Sequence, residues 1–258
     1  MNMFIYCYRM IFRTFFPWVK RVVFRTFIST KNYRLMKQYK DIHKGKRCFI
    51  VASGPSLTLE DVEKLSSEIT FGMNGGIYLM EKSNWKPNYY IIQDKEVYMK
   101  VEKDLHILDE YKIPQFIGDA ATQRVSEEDI LYNLKVMDHF AAGKKITFSN
   151  DCSKFISDGW TVTYSAIQLA AYMGFSEICL IGCDSNYMGK NAHSEHCTTN
   201  AAQDNKESRN TSFKGYSDIA YKCALDYANQ NNIKIYNCTR GGMLEVFPRK
   251  SLEDILYN

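Results

Sequence analysis

A chain of 258 residues, 45% of them hydrophobic, is long enough for one substantial core with a small subdomain and too short for several independent domains. Charged residues at 24%, with only 5 Pro and 14 Gly, exclude disordered, collagen-like and low-complexity chains. The net charge of +4 is unevenly divided, since residues 1–40 hold nine basic residues and no acidic one while the remainder carries −5. An anionic partner is therefore expected at the head of the chain alone.

That head, MNMFIYCYRMIFRTFFPWVKRVVFRTFIS, interleaves aromatic and aliphatic residues with cations. On a helix, Arg9, Arg13, Lys20 and Arg21 fall near one stripe, and Phe12, Phe15, Phe16, Val19, Val23 and Phe27 form the broad remaining face. Such a helix suits an anionic membrane surface, touched by residues 1–30 and kinked at Pro17. A helix packed on the body or on a dimer partner is the alternative. Arg9 and Arg13 interrupt the first apolar run and no cleavage site follows, so no signal peptide is expected. Nowhere do about 20 residues pass without a charge, as a membrane span would require. Eight cysteines without a C-x-x-C pair read as reduced thiols. These features point to a cytoplasmic protein lying on the inner face of the plasma membrane, without a nucleic-acid partner and with a homo-oligomer left open.

Past a linker around residues 31–46, short apolar runs alternate with longer segments of helical period. The predicted strands are Arg47–Ala52, Ile69–Met73, Tyr89–Gln93, Gln115–Ile117, Ile178–Gly182 and Lys234–Asn237. Each is nearly continuous in apolar residues, as buried parallel strands are. Helices are predicted over Thr163–Met173, with Gly174 as its cap, and over about Ser217–Asn231. The fold class is α/β: a single Rossmann-like domain with a mainly parallel sheet, spanning 46–258 and carrying a lid-like insertion near 185–214.

Ligands of such a sheet bind beyond the carboxyl ends of the strands. The residues that follow the strands are Ser53-Gly54-Pro55-Ser56, Asn74-Gly75, Asp94, Asp184 and Thr239-Arg240-Gly241-Gly242. Any one of them also fits an ordinary turn or helix cap. The VASGPSL segment offers a turn and a helix start near Ser56 or Thr58, where amides and hydroxyls suit a phosphate. Neither the G-x-x-x-x-G-K-S/T nor the G-x-G-x-x-G spacing occurs. Arg240 suits a phosphate or a sugar carboxylate.

Ser53-Gly54-Pro55-Ser56-Leu57, Met73-Asn74-Gly75-Gly76, Asp94 after YYIIQ and the AAYMGFSEICLIGCD segment ending at Asp184 resemble the bacterial branch of the 6-hydroxymethylpterin pyrophosphokinase-like family. The same motifs are similar to those of the bacterial sialyltransferases that act on lipooligosaccharide, over roughly residues 46–249. The resemblance implies a glycosyltransferase of GT-A-like variant fold. It would move a sialic-acid-like sugar, with inversion, from a CMP-activated donor to a hydroxyl of a lipid-linked or surface glycan. It further implies that Ser53 and Gly54 face the nucleotide, Asn74 the cytidine or phosphate, and Thr161 and Thr163 the donor. The chain departs from the sialyltransferase pattern at Ser53 and Gly75, which stand where Asn and Gln are usual, and near Tyr216, where the family has its catalytic His.

For the base that takes the acceptor proton, His193 ranks first, His196 second and Tyr216 third; solvent-exposed loop histidines are the alternative. His193, His196 and Cys197 place three ligand types together but lack a fourth and the usual paired spacings, so no metal site is expected. No cofactor is required, although Mg2+ or Mn2+ bridging Asp94 or Asp184 to donor phosphates is compatible with the resemblance. A pyrophosphokinase-type ATP-dependent enzyme and a non-catalytic nucleotide-binding module are the competing functions.

Overall fold

The computed structural model describes residues 30–121, 126, 128–135, 146–185 and 210–257. The interfacial helix expected in residues 1–29, most of the lid-like insertion, and His193, His196 and Cys197 lie outside them.

Seven strands form one sheet: β1 (Arg47–Val51), β2 (Thr70–Met73), β3 (Tyr89–Ile92), β4 (Gln115–Gly118), β5 (Ile130–Tyr132), β8 (Glu177–Ile181) and β9 (Lys234–Asn237). Their order is β5-β4-β3-β2-β1-β8-β9, and every pairing is parallel. The α/β class with a Rossmann-like parallel sheet is thus observed. Two-residue strands β6 (Leu134–Lys135) and β7 (Ile156–Ser157) pair separately. The six predicted strands recur with ends shifted by no more than one residue. β5, β6 and β7 were not anticipated, because two or three residues between polar neighbours show no period.

The sheet is buried on both faces, and side chains alternate between two cores. Cys48, Ile50, Phe71, Ile91 and Leu180 point to one side, where α6 (Val162–Tyr172) and α7 (Asn210–Gln230) pack. Phe49, Val51, Tyr90, Ile92 and Ile181 point to the other. There they meet α2 (Leu59–Glu63), α3 (Ile77–Lys82), α4 (Lys95–Val101), α5 (His106–Glu110) and α8 (Leu252–Tyr257). Three layers result, each helix offering one apolar face to the sheet.

In α6, Ala166, Ile167 and Ala170 are buried as the small-residue face requires, and Gly174 turns the chain at φ 87°. The fully buried Gln168 on this helix is satisfied at both ends. Its Oε1 accepts from the amides of Ser149 and Ser157, each at 3.0 Å, and its Nε2 donates to the Ser157 carbonyl at 2.9 Å.

The stretch read as a linker is instead part of the body. It forms α1 (Thr30–Leu35) and a 3-10 turn (Met36–Tyr39), with Met36 in the core and Tyr39 edge-on to Phe116 at 5.0 Å. Asn32 donates to the carbonyls of Ser126 and Asp129, and His43 stacks on Phe175 while its Nε2 lies 2.6 Å from the Tyr89 hydroxyl.

Candidate functional site at the carboxyl edge of the sheet

The strand order reverses between β1 and β8, so the crevice for a ligand opens between the loops that leave these two strands. The loops are fastened to each other. The Gly54 amide donates to the Gly182 carbonyl at 2.9 Å, and the Ser56 hydroxyl donates to Asp184 Oδ2 at 2.8 Å. A Cβ on Gly54 would stand 2.0 Å from Asp184 Oδ2 and 2.4 Å from the Gly182 carbonyl oxygen, so only glycine permits this approach. Ser56, expected to offer its hydroxyl to a phosphate, is engaged with Asp184 instead. The following helix is capped by Thr58, whose hydroxyl and amide both reach Asp61 in a capping box. That start lies where the sequence placed it.

The turn after β9 closes the far side. Thr239 Oγ1 accepts from the Cys183 amide at 3.0 Å, the Met243 amide donates to the Asp184 carbonyl at 2.7 Å, and Gly242 at φ 72° passes so close that a Cβ would stand 2.7 Å from that carbonyl oxygen. Gly241 is also left-handed, at φ 62°. The Arg240 fork, expected to meet a phosphate or carboxylate of the ligand, donates to both oxygens of buried Asp61 and, at 3.0 Å, to the Ser56 carbonyl. It ties this turn to the β1 loop. Arg249, not singled out by the sequence, donates to the carbonyls of Thr239 and Gly241 and holds the turn from below. A cavity of about 410 Å³ opens beside it, lined in part by Arg240, Arg249, Lys250 and Glu253. Burial pushes the Cys183 thiol up to about 12, which removes it as a nucleophile near neutrality.

The third wall is built on β2 and β3. Asn74 leaves β2 in the left-handed region at φ 50°, and the buried Tyr90 hydroxyl donates to its carbonyl and accepts from the Ile77 amide at 2.8 Å. These bonds fix the Asn74-Gly75-Gly76 turn. The Asn74 side-chain oxygen is buried and has no hydrogen-bond partner among the described residues. Leaving a polar atom so costs about 1–3 kcal/mol. Continuing the register of β1 and β2 sets Asn74 level with Ser53, beside it on the β1 side of the crevice. Asp94 accepts from the amides of Glu96 and Val97 at 2.7 and 3.1 Å, and so acts as the exposed N-cap of α4.

Above Asn74 stands the start of α6. Thr161 is its N-cap, and Thr163 Oγ1 lies 3.8 Å from Met73 Sδ, one residue before Asn74. Gln93, which follows β3, grips this start from both ends of its amide: Nε2 donates to Asp158 at 3.0 Å and Oε1 accepts from Ser165. Asp158 also accepts from the Trp160 amide at 2.8 Å, and the Trp160 ring stacks on Tyr216 of α7 at 4.7 Å and 20°. Tyr216 is therefore at the site, beside Thr161. Sequence reasoning missed Gln93, Asp158 and Trp160, whose roles arise only when β3 and the start of α6 meet. Pro55 is exposed at the crevice mouth. Among the described residues, no three His, Cys, Asp or Glu side chains are grouped to hold a metal ion.

The arrangement offers a buried amide oxygen, the amino end of an 11-residue helix with its partial positive charge, and the half-buried Thr161, all beside a crevice lined by backbone, whereas Thr163, expected to face the donor, is buried with its hydroxyl on Met73. That set suits a phosphorylated ligand whose polar ring substituents need both donors and acceptors.

Comparisons with known proteins bear on this geometry in two ways. Among solved structures the chain is similar to the MAf glycosyltransferase from Magnetospirillum magneticum AMB-1, at 16% identity and TM-score 0.55 over 88% of this chain and 39% of that one. It thus spans well under half of that protein's length. A weaker likeness is to the sialyltransferase CstII from Campylobacter jejuni, solved in complex with a substrate analogue, cytidine-5'-monophosphate, at 13% identity and TM-score 0.44 over 80% of this chain and 85% of that one. No curated protein sequence matches. A family model, 6-hydroxymethylpterin diphosphokinase MptE-like, matches residues 25–190, which span β1 to β8 and hence the crevice, Asn74 and the start of α6. The chain belongs to the 6-hydroxymethylpterin diphosphokinase MptE-like family.

Proposed function

We propose that the protein is a glycosyltransferase that moves a sialic-acid-like sugar from a CMP-activated donor to a hydroxyl of a lipid-linked or surface glycan. The observation that carries the reading is Asn74, held left-handed at the carboxyl edge with a buried side-chain oxygen that lacks a partner among the described residues. An amide there suits a cytosine, ribose or phosphate edge, and the fold shared with a MAf glycosyltransferase supports transfer chemistry. The sialyltransferase-like motifs of the β1 and β8 loops support a CMP donor.

In the proposed reaction the acceptor oxygen attacks the anomeric carbon as the bond from that carbon to the phosphate oxygen breaks. CMP leaves with the electron pair, configuration inverts, and the acceptor proton passes to a base. We assign the base to His193, with His196 and then Tyr216 behind it. The amino end of α6 and Thr161 face the developing charge of the donor. Mg2+ or Mn2+ is not needed for this scheme. The basic, aromatic residues 1–30 would keep the enzyme beside a membrane-held acceptor, on the cytoplasmic face.

Calorimetric titration with CMP and a CMP-sialic acid turnover assay on a lipooligosaccharide acceptor test the reading. Asn74→Gly keeps the left-handed backbone unstrained, so it should fold normally and bind CMP about tenfold more weakly, the loss of one or two hydrogen bonds. His193→Ala should abolish turnover and leave CMP affinity within about twofold. Unaltered CMP affinity in Asn74→Gly would remove Asn74 from the site, and unaltered turnover would remove His193 from the mechanism. The MptE-like family membership favours one second reading, a pyrophosphokinase that takes ATP at the same edge.

A further inference from the structure

Three non-glycine residues adopt left-handed backbone at the carboxyl edge: Asn74 at φ 50°, Ser185 at φ 50° and Trp160 at φ 64°. For Asn this conformation is ordinary, whereas for a bulky aromatic residue it is an outlier that the surroundings must impose. They do so visibly. Asp158 takes the Trp160 amide, Gln93 holds Asp158, and Ser165 holds Gln93. Gly159 just before it packs flush, since a Cβ there would meet the Tyr164 ring at 2.3 Å and Ala220 Cβ at 2.8 Å. Glycine at position 160 would relieve the backbone at no cost to this network, yet the chain places an indole there, half-buried and stacked on Tyr216. Strain retained at a ligand edge is a mark of function.

Its place along the edge says which part of a ligand it meets. The reversal point lies between β1 and β8, and Trp160 is tied through Asp158 and Gln93 to the end of β3. β3 is two strand spacings, about 10 Å, from β1. In the glycosyltransferase reading, a nucleotide seated at the crevice would extend its sugar past Asn74 toward β3. The half-buried Thr161 stands on one side of that path and the aromatic pair at its end. A pyranose has one polar rim and apolar C–H faces, and a rigid indole backed by a second ring is the complement of such a face.

We propose that Trp160, backed by Tyr216, is the specificity-determining wall of the transferred-sugar subsite, with Gln93 and Asp158 as the residues that position it. The proposal deepens the glycosyltransferase reading and rests on it. Calorimetry with CMP and with CMP-3-fluoro-sialic acid, a donor that does not transfer, separates the two. Trp160→Gly should keep the unfolding temperature close to that of the wild type and bind CMP within about twofold, while losing about tenfold in affinity for the fluoro donor. Trp160→Phe should recover most of that loss. In the wild type the fluoro donor should shift tryptophan emission where CMP alone does not, and Trp160→Phe should abolish the shift. Trp160→Gly binding both ligands as the wild type does, or losing both equally, would overturn the assignment and leave the glycosyltransferase reading standing. Failure of the wild type to bind CMP would overturn that reading and this assignment with it.

Discussion

Gly54, Ser56, Asp184 and Arg240 were all legible in the sequence as residues of the strand ends, but not as partners of one another. Small and polar types after apolar runs reveal where loops are, whereas the pairing of Ser56 with Asp184, or of Arg240 with Asp61, joins residues 128 and 179 positions apart. Asn74 was legible as an amide at the edge; its left-handed backbone and buried oxygen, without a partner among the described residues, belong to the fold. Trp160 gave no signal, because a tryptophan beside a helix start reads as core. At this scale Asp61 makes a pH prediction. Burial by itself would raise its carboxyl, but hydrogen bonds from Arg240 and Thr58 win and hold it below the ordinary value. A carboxylate depressed in the folded state stabilises above its unfolded value, and that contribution is lost as pH falls through the folded one. Asp61→Asn should therefore lower stability by about 1–2 kcal/mol at pH 7, with a half-exposed Arg240 keeping the figure modest. In urea unfolding the gap from wild type should close below about pH 4. A gap constant from pH 7 to pH 3 would show that the pair contributes no ionic stabilisation.

Among elements, the central parallel strands were legible because burial on both faces makes them unbroken apolar runs, and α6 because its small residues recur at helical spacing. The error lay at residues 31–46, where a high density of Lys and Arg obscured Tyr33, Met36 and Tyr39 recurring every third residue. Met36 is buried and Tyr39 packs beside it in one core while Tyr33 packs on the other, and the backbone that follows bonds to the end of α6 through the amides of Asp41, His43 and Gly45. The two parts of the head therefore separate on truncation. A chain starting at Thr30 should unfold within about 2 °C of the full chain, having lost no described core residue, and should no longer sediment with anionic liposomes if residues 1–29 are the membrane-binding part. A chain starting at Lys46 should lose roughly 10 °C or fail to fold, since it removes a buried Met and an aromatic contact worth about 2–5 kcal/mol together. Undiminished liposome binding by the Thr30 chain would place the membrane contact on the body.

For the whole molecule, a charge of +9 on residues 1–40 against −5 on the rest, and a sheet whose reversal point, buried Asn74 amide oxygen and helix start all meet at one edge, are two halves of a single reading. In the function proposed above, one half would hold the protein at an anionic surface, and the other would present an activated sugar to an acceptor held there. Fold class was the most legible property, since a parallel sheet follows from the pattern of runs. The reacting base was the least, since a side chain's role depends on what the fold brings beside it. Thermal unfolding of the full chain against CMP, CMP-sialic acid, UDP, GDP and ATP tests the central claim most directly. A ligand at about a hundred times its dissociation constant adds about 2.7 kcal/mol, which for a chain of this size is a shift of roughly 5–10 °C. The account predicts that shift with CMP and CMP-sialic acid and none with ATP; a shift with ATP and none with either cytidine ligand would contradict it.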